Sequence, residues 1–268
     1  MTLNLPTSEL IFERRGPQGE VGWVTFNRPQ ARNALTFAIY EGVHNIVQEA
    51  NGDRSLKALV FTGAGGRAFA AGTDIAQFQG FSSAQDALDY EARMDRVLGA
   101  LEAARVPTLA AVQGACTGGG AGIACACDLR VAAPSARFGF PIARTLGNTL
   151  SMGNLARLVA LIGLSRTKDL LLTARLWDAA EGLAAGLFCE VTETEGALPA
   201  RAEELALALA GHAPLTLETL KEGLRRVSGQ FVPEAGGSDL VVRAYTSRDF
   251  QEGVRAFLDR RPPEWRGK

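Results

Sequence analysis

The sequence predicts an α/β fold because short apolar segments alternate with amphipathic helical segments along the chain. The first pair is a strand over Val21 to Phe26 followed by a helix over Thr36 to Ala50. This order is typical of α/β proteins rather than of all-β proteins. With 268 residues, 47% of them hydrophobic and 21% charged, the chain can bury a large core.

The individual elements follow from spacing and from start and stop signals. In the first helix apolar residues recur at helical spacing, with Thr36 as the N-cap and Asn51-Gly52 as the stop. The later predicted elements are strands over Leu59 to Thr62, Leu109 to Val112, Leu129 to Ala133 and Leu187 to Val191, and helices over Ala84 to Ala104, from after Gly118 to about Cys127, over Leu155 to Leu172 and over Asp178 to Ala185. From about Leu198 onward the pattern is helical, so we expect a core of residues 1–197 and a helical region of residues 198–268.

Charge and hydropathy limit the kinds of partner that we expect this chain to bind. The net charge of -1 gives no electrostatic reason to expect a nucleic acid or a membrane surface. Met1 to Arg15 lacks the pattern of a secretory signal, so we expect a cytoplasmic protein. Val106 to Cys127 is uncharged, but its proline, its polar residues and its five glycines argue against a membrane helix.

The cysteines and histidines show no metal-binding spacing, and we expect no metal site. Cysteine is a residue type that is often buried, so we expect all four to be small core residues. The residues considered are Cys116, Cys125, Cys127, Cys189, His44 and His212.

The segment GACTGGGAGIACACD, from Gly114 to Asp128, holds five glycines and no charged side chain before its last residue. Unpaired N–H groups in the first turn of a helix can bind an anion without any side chain, either a phosphate or an oxyanion formed during a reaction. The segment lacks the G-K-S/T of a phosphate loop and the third glycine of a dinucleotide fingerprint, and no G-x-S-x-G occurs. Close packing of a helix on a sheet is the alternative purpose of these glycines.

A second small-residue turn, AFAAGTDI over Ala68 to Ile75, completes a resemblance to the enoyl-CoA hydratase/isomerase (crotonase) superfamily. Further segments resemble family patterns in the family's order, over nearly the whole chain. They are Asn27-Arg28-Pro29, Asn33-Ala34-Leu35, Glu181 to Leu187, Glu252-Gly253, Ala256-Phe257 and Arg260-Arg261-Pro262.

The resemblance implies a fold, a substrate class and an assembly. The implied fold is the crotonase spiral of ββα turns with a C-terminal helical region that forms a homotrimer or a dimer of trimers. The implied substrate is a coenzyme A thioester of the kind met in fatty acid metabolism, with no other cofactor. Two backbone N–H groups, which by motif position belong to Thr73 and Gly119, would form the oxyanion hole for the thioester oxygen. Each such donor is worth ~2.7 to 4 kcal/mol in a transition state.

The glutamates that hydratases of this family use have no counterpart here. By motif position their places are taken by Gly122 and Ile142. Glu91 and Asp95, on the helix that borders the acyl pocket in the family, are the candidate acid and base. A solvated helix face is the alternative for these two, and a water held by Arg144, Asn148 or Thr149 is a further alternative source of the proton.

The resemblance also implies which residues hold the coenzyme A moiety. Arg28 and Arg32 are candidate phosphate partners, and Phe257 and Arg260 would approach the nucleotide end from a neighbouring subunit. Asp74 has a plain alternative as a helix cap, and Phe257 as a helix core residue. The predicted substrate-binding residues are Arg28, Arg32, Ala71, Thr73, Asp74, Ile75, Ala76, Gly119, Phe257 and Arg260.

The sequence leaves three candidate functions open. The first is an enzyme, of the enoyl-CoA hydratase or isomerase type, that polarises a thioester and forms an enolate, but that is not an efficient ordinary hydratase. The second is an acyl-CoA-binding relative without turnover, which the absent glutamates favour. The third is a hydrolase using Ser151 and a histidine, and it lacks a nucleophile-elbow motif.

Overall fold

The computed structural model describes residues 5–229 and 237–267. The strands are β1 (Leu10–Arg15), β2 (Val21–Phe26), β3 (Ala58–Gly63), β4 (Ala68–Ala70), β5 (Thr108–Val112), β6 (Ala115–Thr117), β7 (Leu129–Ala132), β8 (Arg137–Gly139), β9 (Trp177–Asp178) and β10 (Glu190–Val191). The helices are α1 (Phe37–Gly52), α2 (Ala84–Glu102), α3 (Gly119–Ala126), α4 (Ile142–Thr145), α5 (Met152–Leu172), α6 (Ala179–Ala184), α7 (Leu198–Ala210), α8 (Pro214–Gly229), α9 (Ser238–Tyr245) and α10 (Arg248–Leu258).

The strands form two sheets that the chain visits in turn. One sheet has the order β1-β2-β3-β5-β7-β10 and the other the order β4-β6-β8-β9. Each of three successive turns gives one strand to the first sheet, one to the second and then a helix: β3, β4 and α2, then β5, β6 and α3, then β7 and β8 followed by α4 and α5. This arrangement confirms the predicted α/β spiral of ββα turns.

Both faces of the large sheet are buried. Along β2, Val24 and Phe26 enter the main core, whereas Val21 and Trp23 enter a second cluster on the opposite face. Because both faces are covered, the parallel strands show continuous apolar runs rather than an alternating pattern. Helix α7 covers the second face with three buried residues, Leu198, Ala202 and Ala206.

Capping residues and apolar runs correctly predicted the start of α1 and the bounds of β2. The Thr36 side chain accepts a hydrogen bond from the Ile39 N–H and caps α1, as predicted. The helix then continues through the predicted stop to Gly52, and Asp53 is its C-cap. Strand β2 has the predicted bounds.

Two expectations near residue 189 are wrong. The strand predicted from Leu187 has only Glu190 and Val191 paired with β7, because Leu187 and Phe188 form a turn whose N–H groups donate to the Gly182 carbonyl. Cys189 is exposed beyond this turn, whereas the other three cysteines are buried as predicted.

The last two helices pack against the core of their own chain. Helix α9 packs on α2, and α10 packs on the 3₁₀ turn Ile75–Gly80. A helical C-terminal region is therefore present, and its boundary at residues 197 and 198 stays a prediction.

The uncharged segment over Val106 to Cys127 folds as β5, β6 and α3. In residues 5–229 and 237–267 no helix combines the length and the apolar character that a membrane crossing requires.

Candidate active site

Two glycine turns touch where β4 and β6 end. These short strands pair in parallel, and Gly72 and Gly118 follow them with φ angles of 109° and 52°. Side chains rarely adopt such angles, which explains glycine at both positions. A Cβ added to Gly118 would lie 3.4 Å from the Gly72 Cα, which shows that the two turns are in contact.

The residues after these glycines, Thr73 and Gly119, bring two main-chain N–H groups together. The bridge between Leu35 and this segment uses the Gly72 carbonyl and the Asp74 N–H, at 2.8 and 2.9 Å, and so bypasses the Thr73 N–H. Gly119 begins α3, where helical N–H groups have no internal partner. Within residues 5–229 and 237–267, neither N–H donates to a protein acceptor.

Three hydroxyl groups, linked by hydrogen bonds, lie beside these two N–H groups. Oγ1 of Thr73 lies 2.8 Å from the Tyr40 hydroxyl and 2.9 Å from the Tyr90 hydroxyl, and all three residues are buried. Burial raises the pKa of both phenols, against the opposing effect of their hydrogen bond to Thr73. Both tyrosines are therefore neutral at physiological pH, and in each hydrogen bond with Thr73 either oxygen can be the donor.

A second buried network joins α2 to α9. The Tyr245 hydroxyl donates to Oε1 of Glu91 at 2.6 Å, and Nδ2 of Asn148 donates to the Tyr245 oxygen at 3.0 Å. Glu91 is 7% exposed. Burial raises the pKa of Glu91 to about 7; the hydrogen bond from Tyr245 opposes this rise and the charge of Asp95 adds to it.

Asp95, the other candidate carboxylate, takes a different position. It lies one turn further along α2, half-buried, and accepts a hydrogen bond from the Ser151 hydroxyl at 2.8 Å. The same hydroxyl accepts from the Asn154 N–H and caps α5. Asp95 therefore contacts the start of α5 rather than the Tyr245 network.

Aromatic rings fill the space between the two networks. The Tyr90 and Tyr245 ring centroids are 6.0 Å apart, Phe78 lies 5.0 Å from Tyr90, and Phe250 lies 4.8 Å from Tyr245. The rings belong to α2, the 3₁₀ turn, α9 and α10, so the C-terminal helices form one wall of this region.

Comparison with known proteins identifies the family to which this chain belongs. The family model described as "Enoyl-CoA hydratase/isomerase" matches residues 16–268. The chain belongs to the enoyl-CoA hydratase/isomerase family. It is 35% identical to a probable enoyl-CoA hydratase of Mycobacterium tuberculosis over 261 residues, 97% of this chain and 98% of the relative. It is also 32% identical to the short-chain-enoyl-CoA hydratase of Clostridium acetobutylicum over 264 residues, 96% and 97% of the two chains.

A solved structure of the enoyl-CoA hydratase/isomerase family has the same fold. The crystal structure of an enoyl-CoA hydratase/carnitine racemase from Magnetospirillum magneticum superposes with a TM-score of 0.78 at 31% identity. The match covers 98% of this chain and 97% of that one.

The residues predicted to bind coenzyme A in this enoyl-CoA hydratase/isomerase family member have varied surroundings. The Arg28 guanidinium forms ion pairs with Glu9 and Asp74, at 2.8 and 2.9 Å. Asp74 also caps the 3₁₀ turn by accepting from the Ala76 N–H at 3.2 Å. Arg32, by contrast, is exposed and forms no ion pair within the described ranges.

The remaining predicted contacts are spread over the surface and the core. Ala76 is exposed, Ile75 is buried in the main core, and the Ala71 N–H donates to the Arg32 carbonyl at 3.0 Å. Phe257 is 53% exposed on α10, and Arg260, also exposed, follows the end of that helix.

Of the two positions aligned by motif with the family's hydratase glutamates, Gly122 lies against Leu98 of α2. A Cβ added to Gly122 would lie 3.4 Å from Cδ1 of Leu98 and 3.7 Å from Oδ1 of Asn154, which are ordinary contacts. Ile142 is half-buried at the first position of α4.

Sequence reasoning missed Tyr40 and Tyr245 as members of the site. Tyr245 is 154 residues away from Glu91 in the chain, and no local signal pairs the two.

Proposed function

We propose that this family member binds an acyl-CoA thioester and stabilises its enolate with the N–H groups of Thr73 and Gly119. The observation that carries the proposal is that two N–H groups without a protein acceptor lie on touching glycine turns. A carbonyl oxygen placed between them would accept two hydrogen bonds. Electron withdrawal onto that oxygen makes the C2–H bond acidic.

The proposed oxyanion hole needs no rearrangement during the reaction. Each donor is part of the main chain and follows a short strand, and the buried hydroxyls of Tyr40 and Tyr90 lie beside Thr73. Such fixed donors contribute ~2.7 to 4 kcal/mol each to the stability of a transition state. The positive end of the α3 dipole adds to the Gly119 donor.

Binding of the coenzyme A moiety is the second part of the proposal. Arg32 is exposed near the first glycine turn and suits a phosphate, as does Arg260 at the end of α10. Arg28 fits this role less well because Glu9 and Asp74 already neutralise it. A cytoplasmic location and a homotrimer or dimer of trimers complete the proposal, and the assembly rests on the family resemblance.

The reaction we propose is an enolate reaction other than efficient hydration of an unbranched enoyl-CoA. Gly122 and Ile142 carry no carboxylate, and general acid–base groups supply ~10² to 10⁴-fold each. The same absence favours a second candidate, a protein that binds acyl-CoA without turnover. Proton exchange at C2 separates the two candidates because it reports an enolate whatever the product.

The test is the loss of deuterium from [2,2-²H₂]butyryl-CoA in water, followed by mass spectrometry. We expect loss in proportion to enzyme concentration, and parallel assays with crotonyl-CoA and a 3-enoyl-CoA would identify the net reaction. Binding with no exchange and no turnover would support the second candidate.

A ligand without a carbonyl tests the oxyanion hole directly. S-butyl-CoA, a thioether, differs from butyryl-CoA mainly in the missing carbonyl oxygen. Two hydrogen bonds of about 0.5 to 1.5 kcal/mol each predict roughly 5- to 140-fold weaker binding of the thioether by calorimetry. Equal affinities would contradict the assignment of Thr73 and Gly119.

A further inference from the structure

Glu91 is buried, and its charge is stabilised by hydrogen bonds from the Tyr245 hydroxyl and the Ser151 N–H rather than by a cation. No ion pair within residues 5–229 and 237–267 includes it, and the acidic Asp95 is a charged neighbour. Burying an ionised carboxylate without a cation is costly, and groups of this kind are concentrated at functional sites. A structural role alone would be served better by a neutral glutamine or by an apolar residue.

The Tyr245 network orients this carboxylate in one direction. Tyrosine has one hydroxyl hydrogen, and since Asn148 Nδ2 donates to its oxygen, that hydrogen is available for Oε1 of Glu91. Tyr245 is itself 5% exposed, and Phe250 packs on its ring. With Oε1 held, the carboxylate has lone pairs left to accept a proton.

Helix α2, which carries Glu91, contacts the residue after the first glycine turn and the helix after the second. Tyr90, the preceding residue, reaches Oγ1 of Thr73 at 2.9 Å. Leu98, seven residues after Glu91 and on the same helix face, reaches the surface of α3 at Gly122. Glu91 therefore lies on the part of α2 between the contacts with Thr73 and with Gly122.

We propose that Glu91 is the proton-transferring carboxylate of this site and that Tyr245, supplied by the C-terminal helix α9, is its positioning residue. This inference rests on the proposed function and adds the group that moves the proton. The C-terminal region then has a role in the chemistry of its own chain, beyond the assembly that the resemblance implies.

The transfer moves one proton and one electron pair. The C2–H bond of the bound thioester breaks, its proton goes to the Glu91 carboxylate, and the electron pair moves to the carbonyl oxygen held by Thr73 and Gly119. The reverse transfer returns a proton from the Glu91 carboxylic acid to C2. Exchange of that acid with water between the two transfers replaces deuterium by hydrogen.

The groups that face Glu91 set the pH at which it works. They are Asp95 and Tyr90 from α2, Tyr40 from α1, Tyr245 from α9 and the Ser151 N–H from the loop before α5. Asn148 acts on this group through Tyr245. Burial raises the pKa of Glu91 to about 7. The carboxylate is then the base above neutral pH and the acid below it.

The experiment measures the pH dependence of deuterium loss from [2,2-²H₂]butyryl-CoA in four variants of the full chain. For the wild type we expect the rate to rise to a plateau with a midpoint near pH 7. Glu91→Gln is expected to lower the plateau by ~10² to 10⁴-fold and to remove the midpoint. Asp89→Asn, on the exposed face of the same helix, is the matched control and should behave as the wild type.

Tyr245→Phe tests the positioning role. Loss of its hydrogen bond removes an effect that lowers the pKa of Glu91, so the midpoint should move to higher pH and the plateau should fall about 10-fold. Asn148→Ala should move the midpoint in the same direction by less, and it provides the test if Tyr245→Phe does not fold.

Three results would overturn the inference in distinguishable ways. Unchanged exchange in folded Glu91→Gln would exclude Glu91 as the proton-transferring group. Lower thermal stability of Tyr245→Phe with an unmoved midpoint would show that Tyr245 is merely structural. A wild type that binds butyryl-CoA but exchanges no deuterium would overturn the proposed function and this inference together.

Discussion

The hydroxyl of Tyr40 is hydrogen-bonded to Oγ1 of Thr73 at 2.8 Å and lies directly beside the Cα of Gly119. One side chain from α1 thus contacts the residues that follow both glycine turns. A Cβ added to Gly119 would overlap the Tyr40 oxygen and would lie 2.9 Å from Oγ1 of Thr73. Glycine at position 119 is required by this packing as well as by access of a substrate to the main chain.

Gly119→Ala should therefore destabilise the fold and lower deuterium exchange. We expect a loss of about 1 to 3 kcal/mol in the free energy of unfolding, typical of overpacking in a core. Urea unfolding and the butyryl-CoA exchange assay measure the two effects. Gly99→Ala in α2 is the control, because a Cβ at Gly99 has no atom within 4 Å and should stabilise the helix.

The overlap between the Tyr40 oxygen and a Cβ at residue 119 can be measured as an interaction energy between two substitutions. Tyr40→Phe removes the oxygen atom that a Cβ at residue 119 would overlap. In a double-mutant cycle, Gly119→Ala should cost less in the Tyr40→Phe background than in the wild type. Additive effects would contradict the packing argument.

Glu91→Gln should make the protein more stable above neutral pH while it removes exchange activity. Burial raises the pKa of Glu91 from 4.5 to about 7, so the native state binds the proton more tightly than the unfolded state. The contribution of Glu91 to stability is then full below about pH 4.5 and is lost as the pH rises to about 7. Glutamine stays neutral and avoids this loss.

The expected difference is at most about 3 kcal/mol at pH 8. Urea unfolding of Glu91→Gln and the wild type at pH 5 and pH 8 measures it, with Asp89→Asn as the control. A stability difference that is the same at both pH values would contradict the burial of Glu91 without a cation.

The sequence predicted those parts of the fold whose signals are local. Strand β2 and the cap of α1 follow from apolar runs and from Thr36, and the glycine turns follow from their composition. Short strands such as β4 and β6 were not separated from these turns, because three residues show no period. The two turns nevertheless identified the segments that the structure brings together.

Candidate residues such as Thr73, Gly119 and Glu91 could be named from the sequence, but the contacts between distant side chains could not. Thr73 and Gly119 are fixed by motif position, whereas the Glu91–Tyr245 contact joins residues 154 positions apart through the packing of α9 on α2. The ion pairs of Arg28 could not be predicted from the sequence either, because they depend on the position of Glu9 just before β1.

Arg28 and Arg32 should respond differently to substitution. Arg28→Gln breaks two ion pairs with charged partners, so we expect a loss of about 1.5 to 3 kcal/mol in the free energy of unfolding. Arg32→Gln should leave stability unchanged and weaken binding of coenzyme A, since its side chain is exposed. Urea unfolding and calorimetric titration with coenzyme A separate the two roles. Tight binding by Arg32→Gln would exclude Arg32 as a phosphate partner.

Restoring the two carboxylates should convert the protein towards an ordinary hydratase. Gly122 tolerates a side chain, since its φ is not in the left-handed region and an added Cβ makes ordinary contacts with Leu98 and Asn154. Ile142 is at the half-buried first position of α4, where an acidic residue also suits the helix dipole. By motif position, the combined variant Gly122→Glu/Ile142→Glu supplies the two carboxylates that hydratases of the family use.

General acid–base groups supply ~10² to 10⁴-fold each, so crotonyl-CoA hydration should rise by at least ~10²-fold above the wild type. The matched control is Gly122→Gln/Ile142→Gln, which has nearly the same size and no ionisable group, and it should show no rise. Spectrophotometric loss of the enoyl thioester measures the rate. A Glu/Glu variant that folds and binds crotonyl-CoA, yet hydrates it no faster than the Gln/Gln control, would show that residues 122 and 142 do not occupy the hydratase positions. A rise in both variants would mean that side-chain volume alone orders the water, since glutamine cannot exchange its protons as an acid or base.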